Sequence, residues 1–281
     1  MLDSKKLSDE FGDRPGGRIP MSKLAFAIAG AQKSGTTTLD AIFREHPQIQ
    51  MASVKETHFF DDERRDWRSP DYSLLDAYFA RSDDRLRGEA TPITMYWRPA
   101  VRRLHEYNPD IRIIVMLRDP VTRAYSNWRM EQLVGRETLS FSVAIRDGRY
   151  RVQRQGTAEG QHRFVSYIER GRYGEQLEYL ISYFPKRNVH CEIFEEFFHD
   201  RSDGLDRIAN FLGIDPFPAD IADIQLNSGQ TESSIPLPED IAFLTELFQD
   251  QVESVEQFLG RQVASWSRRV AVPAAGGLRG R

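Results

Sequence analysis

Residues 25–39 read AFAIAGAQKSGTTTL, and this stretch decides the prediction of the fold. The apolar run at residues 24–29 is too short to span a membrane and is typical of a strand buried on both faces of a sheet. Gly30 and Gly35 allow tight turns after that strand, and the threonines at residues 36–38 stand where a helix begins. Amides at a helix N-terminus attract anions, so the stretch predicts a phosphate-binding loop.

The position of the lysine distinguishes this loop from the loop of nucleoside triphosphatases. Theirs reads GxxxxGK[ST], with the lysine directly after the second glycine. Here Gly30 and Gly35 have the same separation, but Thr36 occupies the lysine position and Lys33 lies inside the loop. Lys33 is therefore the first candidate catalytic cation. Taken alone, the segment leaves open a glycine-rich turn with a solvated lysine.

A second candidate anion site follows the apolar run IRIIVML at residues 111–117. Arg118, Asp119 and Pro120 come directly after it, and proline suits the first turn of a helix. Ser126 lies about two helical turns beyond Arg118, so both side chains can reach one anion. A guanidinium offers paired donors that match a phosphate. In the alternative, Asp119 only caps the helix and Arg118 forms an ion pair.

Together the two motifs resemble the nucleotide site of sulfotransferases that use 3'-phosphoadenosine 5'-phosphosulfate (PAPS). In that family, a loop with an internal lysine binds the 5'-phosphosulfate, and LRDPxxRxxS binds the 3'-phosphate. The resemblance implies a P-loop-like sulfotransferase fold and PAPS as co-substrate. The residues that it implies for binding PAPS are Lys33, Ser34, Gly35, Thr36, Thr37, Thr38, Arg118, Ser126 and, through its backbone, Gly229.

The segment SVKETHFF at residues 53–60 is similar to a KExHFF-like segment of heparan sulfate and related bacterial sulfotransferases. The resemblance implies that Glu56 is the general base that takes the proton of the acceptor hydroxyl. His58 follows as a second catalytic candidate. In the alternative, Lys55, Glu56 and the acidic residues 61–63 form a solvated loop, the two phenylalanines pack in the core, and His58 lies in a polar rim.

The implied reaction is in-line transfer of a sulfuryl group to an acceptor hydroxyl. Negative charge grows on the departing bridging oxygen, where Lys33 and the loop amides would stabilise it. A sulfuryl group carries less negative charge than a phosphoryl group, so we expect no divalent metal ion. Six histidines and Cys191, the single cysteine, show no metal-ligand spacing.

The order of the predicted elements indicates an α/β protein. Predicted strands alternate with helical stretches, which predicts a central parallel sheet flanked by helices, with ligands at the carboxyl ends of the strands. The predicted strands are residues 24–29, 87–92, 111–117 and 189–194, and the predicted helices include residues 36–45, 72–79, 100–107 and 173–183.

Composition bounds the size and the partners of the protein. The chain has 281 residues and a net charge of -4, which argues against nucleic acid as the main partner. We expect a flexible leader at residues 1–22, a sulfotransferase domain at 23–269 and a flexible tail at 270–281. No apolar run reaches the ~18 residues of a membrane span. A single cysteine excludes an internal disulfide and suits the cytoplasm.

The acceptor is the least specified part of the prediction. It can be a saccharide or a small metabolite, and animal heparan sulfotransferases carry a lysine where Ala90 stands, which argues against a glycosaminoglycan.

The arginine-rich segment 120–163 forms either a basic lid or a surface paired with acids. A kinase-like phosphotransferase and a non-catalytic nucleotide-binding protein remain alternatives, and the oligomeric state stays open.

Overall fold

Five short strands form a parallel sheet in the computed structural model, which describes residues 23–80, 84–155, 163–218 and 236–267. In chain order the strands are β1 (Phe26–Gly30), β2 (Ile49–Met51), β3 (Leu86–Ala90), β4 (Arg112–Leu117) and β5 (Val189–Ile193). They lie in the order β2-β3-β1-β4-β5, and every neighbouring pair is parallel. The central β1 therefore ends between the carboxyl ends of β3 and β4.

Helices connect and cover the strands. The helices of the described ranges are α1 (Thr36–Arg44), α2 (Ser73–Asp76), α3 (Arg98–Tyr107), α4 (Pro120–Leu133), α5 (Phe141–Gln155), α6 (Tyr173–Tyr183), α7 (Phe194–His199), α8 (Arg201–Leu212), α9 (Pro238–Leu259) and α10 (Ala264–Ser267). Within these ranges, no helix combines the length and the apolar character needed to cross a bilayer.

Alternate residues of the central strands enter two separate hydrophobic clusters. Ala27 of β1 and Ile113 of β4 pack with residues of α3, α6 and α9. Phe26 and Ile114, one position away on the same strands, pack with residues of α1 and α8. Because successive side chains of a strand point to opposite faces, the sheet is covered by helices on both sides.

The fold class is confirmed: the protein is α/β, with a central parallel sheet flanked by helices. The predicted strands and most of the predicted helices lie within a few residues of their expected positions. The helix expected at 72–79 is wrong in its extent, because only the four residues of α2 are α-helical there. The predictions for residues 1–22 and 270–281 lie outside the described residues, and the domain boundaries stay a prediction.

Candidate active site

The loop between β1 and α1 turns through a left-handed backbone. Lys33 has φ of 70° and Gly35 has φ of 79°. At position 35 this conformation favours glycine, because a residue with a side chain would be strained. A Cβ on Gly35 would also lie 2.7 Å from Cε2 of Phe198 and 3.0 Å from Cε2 of Phe194. The aromatic rings of α7 therefore support the loop from directly beneath the glycine.

The first turn of α1 has no side chain that caps it. Its N-cap residue is Gly35, so the amides of the three threonines that follow are not covered by a capping side chain. Thr37 is exposed and Thr38 is half-buried, whereas Ser34 and Thr36 are buried. The hydroxyl of Ser34 is buried with no hydrogen-bond partner in the described structure. The loop thus combines uncapped amides with an unsatisfied hydroxyl, as an anion site requires.

Arg118, directly after β4, meets this loop. Its Nη1 donates to the carbonyl oxygen of Lys33 at 3.3 Å, and its guanidinium lies 4.7 Å from the ring centre of Phe194. The two candidate anion-binding motifs, which are about 80 residues apart in the sequence, are therefore adjacent in space. Ser126 lies farther along α4 and is partly buried.

Asp119 does cap α4, as the alternative for this motif proposes. Its Oδ1 accepts from the amide of Thr122 at 2.8 Å, and Pro120 occupies the first turn. The cap fixes the start of α4 directly beside Arg118. Capping by Asp119 and anion binding by Arg118 are therefore compatible.

Lys33 is partly buried beside charged groups of both signs. Burial lowers the pKa of Lys33 below its ordinary value, and the positive charge of Arg118 lowers it further, while the carboxylate of Glu131 opposes both effects. Lys55 also lowers the pKa of Lys33 and Glu56 raises it, so the segment with Glu56 lies close to the loop. A lysine whose charged form is disfavoured by neighbouring cations marks a site that an anion would stabilise.

The segment after β2 gathers four charged groups. Lys55 Nζ lies 2.5 Å from Glu56 Oε1, and His58 Nε2 lies 3.5 Å from Glu56 Oε2. The other ring nitrogen of His58, Nδ1, lies 2.9 Å from Asp61 Oδ2. The side chain of Glu56 is 40% exposed and that of His58 is 47% exposed, so both can meet a substrate.

Asp61 and Arg163 are site residues that the sequence did not indicate. Asp61 is fully buried, and Arg163 Nη1 donates to its Oδ2 at 2.5 Å. The solvated-loop alternative is therefore wrong for Asp61, although Phe59 and Phe60 do pack in the core as that alternative expected. The only sequence signal for Asp61 was its spacing of three residues from His58. Arg163 is distant in the sequence, and no signal linked it to this segment.

These contacts determine the charges at neutral pH. Burial would raise the pKa of Glu56, but the hydrogen bond from His58 and the charge of Lys55 outweigh burial and lower this pKa to about 2. The hydrogen bonds to Asp61 and Glu56 raise the pKa of His58 to about 9 against the effect of burial. Glu56 is therefore ionised and His58 is protonated at neutral pH.

All three motifs meet at the carboxyl edge of the sheet. The amide of Glu56 donates to the carbonyl of Ala90, the last residue of β3, at 2.9 Å. Lys33 follows β1 and Arg118 follows β4, the two neighbours in the sheet. Gly229 lies outside the described residues. Within the described residues, no group of three or more His, Cys, Asp or Glu side chains is arranged to hold a metal ion, and a metal-free reaction stays a prediction.

The arginine-rich segment is largely paired in the described structure. Arg123 is fully buried and donates to Asn127 and to the carbonyl of Tyr167. Four other arginines of the segment contact carboxylates, which supports the paired-surface alternative for these four. The pairs are Arg136–Glu131, Arg146–Asp240, Arg151–Glu137 and Arg163–Asp61.

Comparison with known proteins identifies the family. Residues 25–233 match the family model of the sulfotransferase domain. The chain belongs to the sulfotransferase family. It is 30% identical over 187 residues to human heparan sulfate glucosamine 3-O-sulfotransferase 6, a match that covers 66% of this chain and 51% of that protein. It is 31% identical over 190 residues to human heparan sulfate glucosamine 3-O-sulfotransferase 3B1, covering 66% and 45%. The chain thus spans about half the length of these relatives.

Solved structures support the same assignment. A sulfotransferase from Alicyclobacillus acidocaldarius aligns with a TM-score of 0.72 and 25% identity, over 88% of this chain and 99% of that one. A mouse sulfotransferase complexed with PAP aligns with a TM-score of 0.54 and 15% identity, over 86% of this chain and 88% of that one, which shows a shared fold. The fold is therefore the P-loop-like α/β fold of sulfotransferases.

The His58 contacts predict how stability depends on pH. Because the pKa of His58 rises from 6.5 to about 9 on folding, its contribution to stability is complete below pH 6.5 and is lost as the pH rises through 9. The depressed pKa of Glu56 has the opposite sign: its contribution is present above pH 4.5 and is lost as the pH falls through 2. In chemical denaturation, the free energy of unfolding of the wild-type protein should fall between pH 6.5 and 9. The fall should be smaller in His58→Gln.

An exposed histidine provides the control for this measurement. His199→Gln, at the end of α7, should keep the wild-type fall in stability. An equal fall in His58→Gln and wild type would show that the contacts of His58 with Asp61 and Glu56 do not persist in solution.

Proposed function

We propose that this protein transfers the sulfuryl group of PAPS to a hydroxyl of a saccharide or a small metabolite. The observation that carries the proposal is the meeting of Lys33, Arg118 and Glu56 at one edge of the sheet. Two cations suited to two phosphate groups thus lie beside an accessible carboxylate. Membership of the sulfotransferase family supports the same reaction.

The loop suits the 5'-phosphosulfate of the nucleotide. Its uncapped first turn offers amides, the buried hydroxyl of Ser34 lacks a partner in the described structure, and the charged form of Lys33 is destabilised by burial and by Arg118. A bound phosphosulfate would relieve the repulsion between Lys33 and Arg118. Arg118 and Ser126 of the second motif would bind the 3'-phosphate, which ATP lacks.

The reaction balances with the groups that the chain supplies. The acceptor oxygen forms a bond to sulfur while the bond between sulfur and the bridging phosphate oxygen breaks. The hydroxyl proton goes to the carboxylate of Glu56, and the departing oxygen keeps the electron pair beside Lys33. The products are a sulfate ester and adenosine 3',5'-bisphosphate, and no redox partner or metal ion enters the balance.

The low pKa of Glu56 fits this role when the charges of the loaded site are considered. At a pKa of about 2, the carboxylate is fully ionised but a weak base. Lys55, which holds Glu56 at 2.5 Å, is a cation that a bound phosphosulfate would also attract. Weakening this ion pair would remove part of the cause of the low pKa of Glu56, while the hydrogen bond from His58 would remain, so Glu56 would become a stronger base in the loaded site.

A saccharide is the acceptor class that we favour. The relatives are named as sulfotransferases of a heparan sulfate glucosamine. A pocket is lined by the rings of Tyr96 and Tyr179 and by side chains of both charges, namely Arg98, Arg172, Glu169 and Glu175, of which Arg172 pairs with Glu175. It also contains Met95, whose amide donates to the carbonyl of Ala29 in β1 at 2.9 Å. Aromatic rings are suited to stacking on sugar rings, and polar side chains of both charges can bind sugar hydroxyls. We further propose, from the single cysteine, that the enzyme works in the cytoplasm.

Glu56→Gln tests the proposed base. The amide keeps the size of the side chain but cannot take the proton, so kcat for sulfuryl transfer from labelled PAPS should fall about 10²- to 10⁴-fold. Binding of adenosine 3',5'-bisphosphate should be retained. Glu45→Gln, at the exposed C-cap of α1, is the matched control and should keep wild-type activity on the same panel of saccharides and small alcohols. Unchanged turnover in Glu56→Gln would remove Glu56 from the mechanism.

Arg118→Ala tests the assignment of the 3'-phosphate. Loss of a charge-assisted hydrogen bond of about 1.5–3 kcal/mol should weaken PAPS by roughly 10- to 100-fold. Adenosine 5'-phosphosulfate, which lacks the 3'-phosphate, should be affected far less. Lys33→Ala is the comparison variant and should weaken both nucleotides alike, because Lys33 is assigned to the 5' group that they share. Equal losses for both nucleotides in Arg118→Ala would contradict the assignment.

A further inference from the structure

Thr57 separates the two catalytic candidates at a point where the backbone is unusual. Glu56 has φ of 60° and His58 has φ of 49°, both in the left-handed region that residues with a Cβ adopt infrequently. Such a backbone persists only where the surrounding structure holds it. Contacts of Thr57 with the interior are therefore positioned to control both of its neighbours.

The side chain of Thr57 is hydrogen-bonded into the core. It is buried, and its hydroxyl donates to Glu89 Oε2 at 3.0 Å while accepting from the amide of Phe59 at 3.4 Å. Glu56 and His58 remain 40% and 47% exposed on either side of it. The side chain of Thr57 is therefore buried, whereas the side chains of its two neighbours are accessible to a substrate.

Glu89 is an unusual residue for its position in β3. It is fully buried, and its Oε2 also accepts from the hydroxyl of Thr91 at 2.5 Å. Its Oε1 is buried without a hydrogen-bond partner in the described structure. Burial raises the pKa of Glu89 to about 7, against the hydrogen bonds from the two threonines. A carboxyl group kept in such surroundings is costly to bury, and packing alone does not explain it.

We infer that Glu89 and Thr57 are a positioning pair, which holds Glu56 and His58 in their left-handed conformation and directs them toward the acceptor. Both residues of the pair are buried, so they would act through Glu56 and His58. Glu89 anchors the segment to β3 through the hydroxyl of Thr57, and the amide of Glu56 is tied to the carbonyl of Ala90 on the same strand. The consequence for catalysis rests on the proposed function, since it takes Glu56 as the base.

Thr91 provides a matched control for this inference. Thr57→Val and Thr91→Val each remove one hydroxyl that donates to the same oxygen of Glu89, with little change in side-chain volume. Only Thr57 lies between the two catalytic candidates. Thr57→Ser restores a hydroxyl at that position, so it separates the hydrogen bond from the shape of the side chain.

The kinetic test compares the three variants with labelled PAPS. Thr57→Val should lower kcat roughly 10- to 100-fold because the base is misplaced, while KM for PAPS stays within about twofold. Thr57→Ser and Thr91→Val should keep kcat within about threefold of wild type. Equal losses of kcat in Thr57→Val and Thr91→Val would overturn the inference, since a merely structural hydrogen bond would affect both alike.

The pKa of His58, followed by NMR titration of its ring protons, tests the pair without requiring activity. His58→Gln assigns the signal. In Thr57→Val the contacts of His58 with Asp61 and Glu56 should loosen, and its pKa should fall from about 9 toward 6.5 by at least about 1 unit. In Thr91→Val the pKa of His58 should stay at about 9. An unchanged pKa in Thr57→Val would overturn the inference, whereas a wild-type protein that transfers no sulfuryl group would overturn the proposed function and leave this comparison valid.

Discussion

The parallel pairing of β1 with β4 is the constraint on which the site depends. The two strands run side by side from Phe26 opposite Arg112 to Gly30 opposite Val115, and the amide of Ala31 still donates to Met116 at 2.8 Å. The loop after β1 therefore begins next to the end of β4. Arg118 meets the carbonyl of Lys33 as a direct result. Any change that shifted this register would separate Lys33 from Arg118, the two groups to which we assign anion binding.

A second level of organisation is electrostatic. Lys33, Arg118 and Lys55 supply positive charge, while Glu56 and the buried Asp61 supply negative charge on either side of His58. Burial and the charges of Arg118 and Lys55 lower the pKa of Lys33, while the hydrogen bond from His58 and the charge of Lys55 lower the pKa of Glu56. The effects of the neighbouring cations would weaken if the proposed donor, which is negatively charged at both its 3'- and 5'-groups, were bound. Under the proposed function, binding of the donor would therefore make Glu56 a stronger base.

The sequence predicted those parts of the site that follow strands with strong apolar patterns. The runs at β1 and β4 are buried on both faces, and the loop and the arginine after them were found by their spacing. β2 was missed because three residues carry too little pattern. The register between β1 and β4 places Lys33 beside Arg118. This register depends on tertiary contacts, so it could not be predicted from the sequence.

The charged network around Glu56 was harder to predict. Asp61 belongs to an acidic run that is typical of solvent-exposed loops, and the partner that helps to explain its burial, Arg163, lies 102 residues away. Glu89 lies in a strand, where an isolated carboxyl gives no periodic signal, and its contact with Thr57 spans 32 residues. The left-handed conformations at Glu56 and His58 have no local signature in the sequence either.

Calorimetric titration of the wild-type protein with adenosine 3',5'-bisphosphate, and separately with ATP and Mg²⁺, tests whether the edge formed by β1 and β4 binds a nucleotide by its 3'- and 5'-phosphate groups. We expect a Kd of about 1 μM or tighter for the bisphosphate, which corresponds to about 8 kcal/mol, and much weaker binding of ATP. A preference for ATP with Mg²⁺ would contradict the account and favour a phosphotransferase.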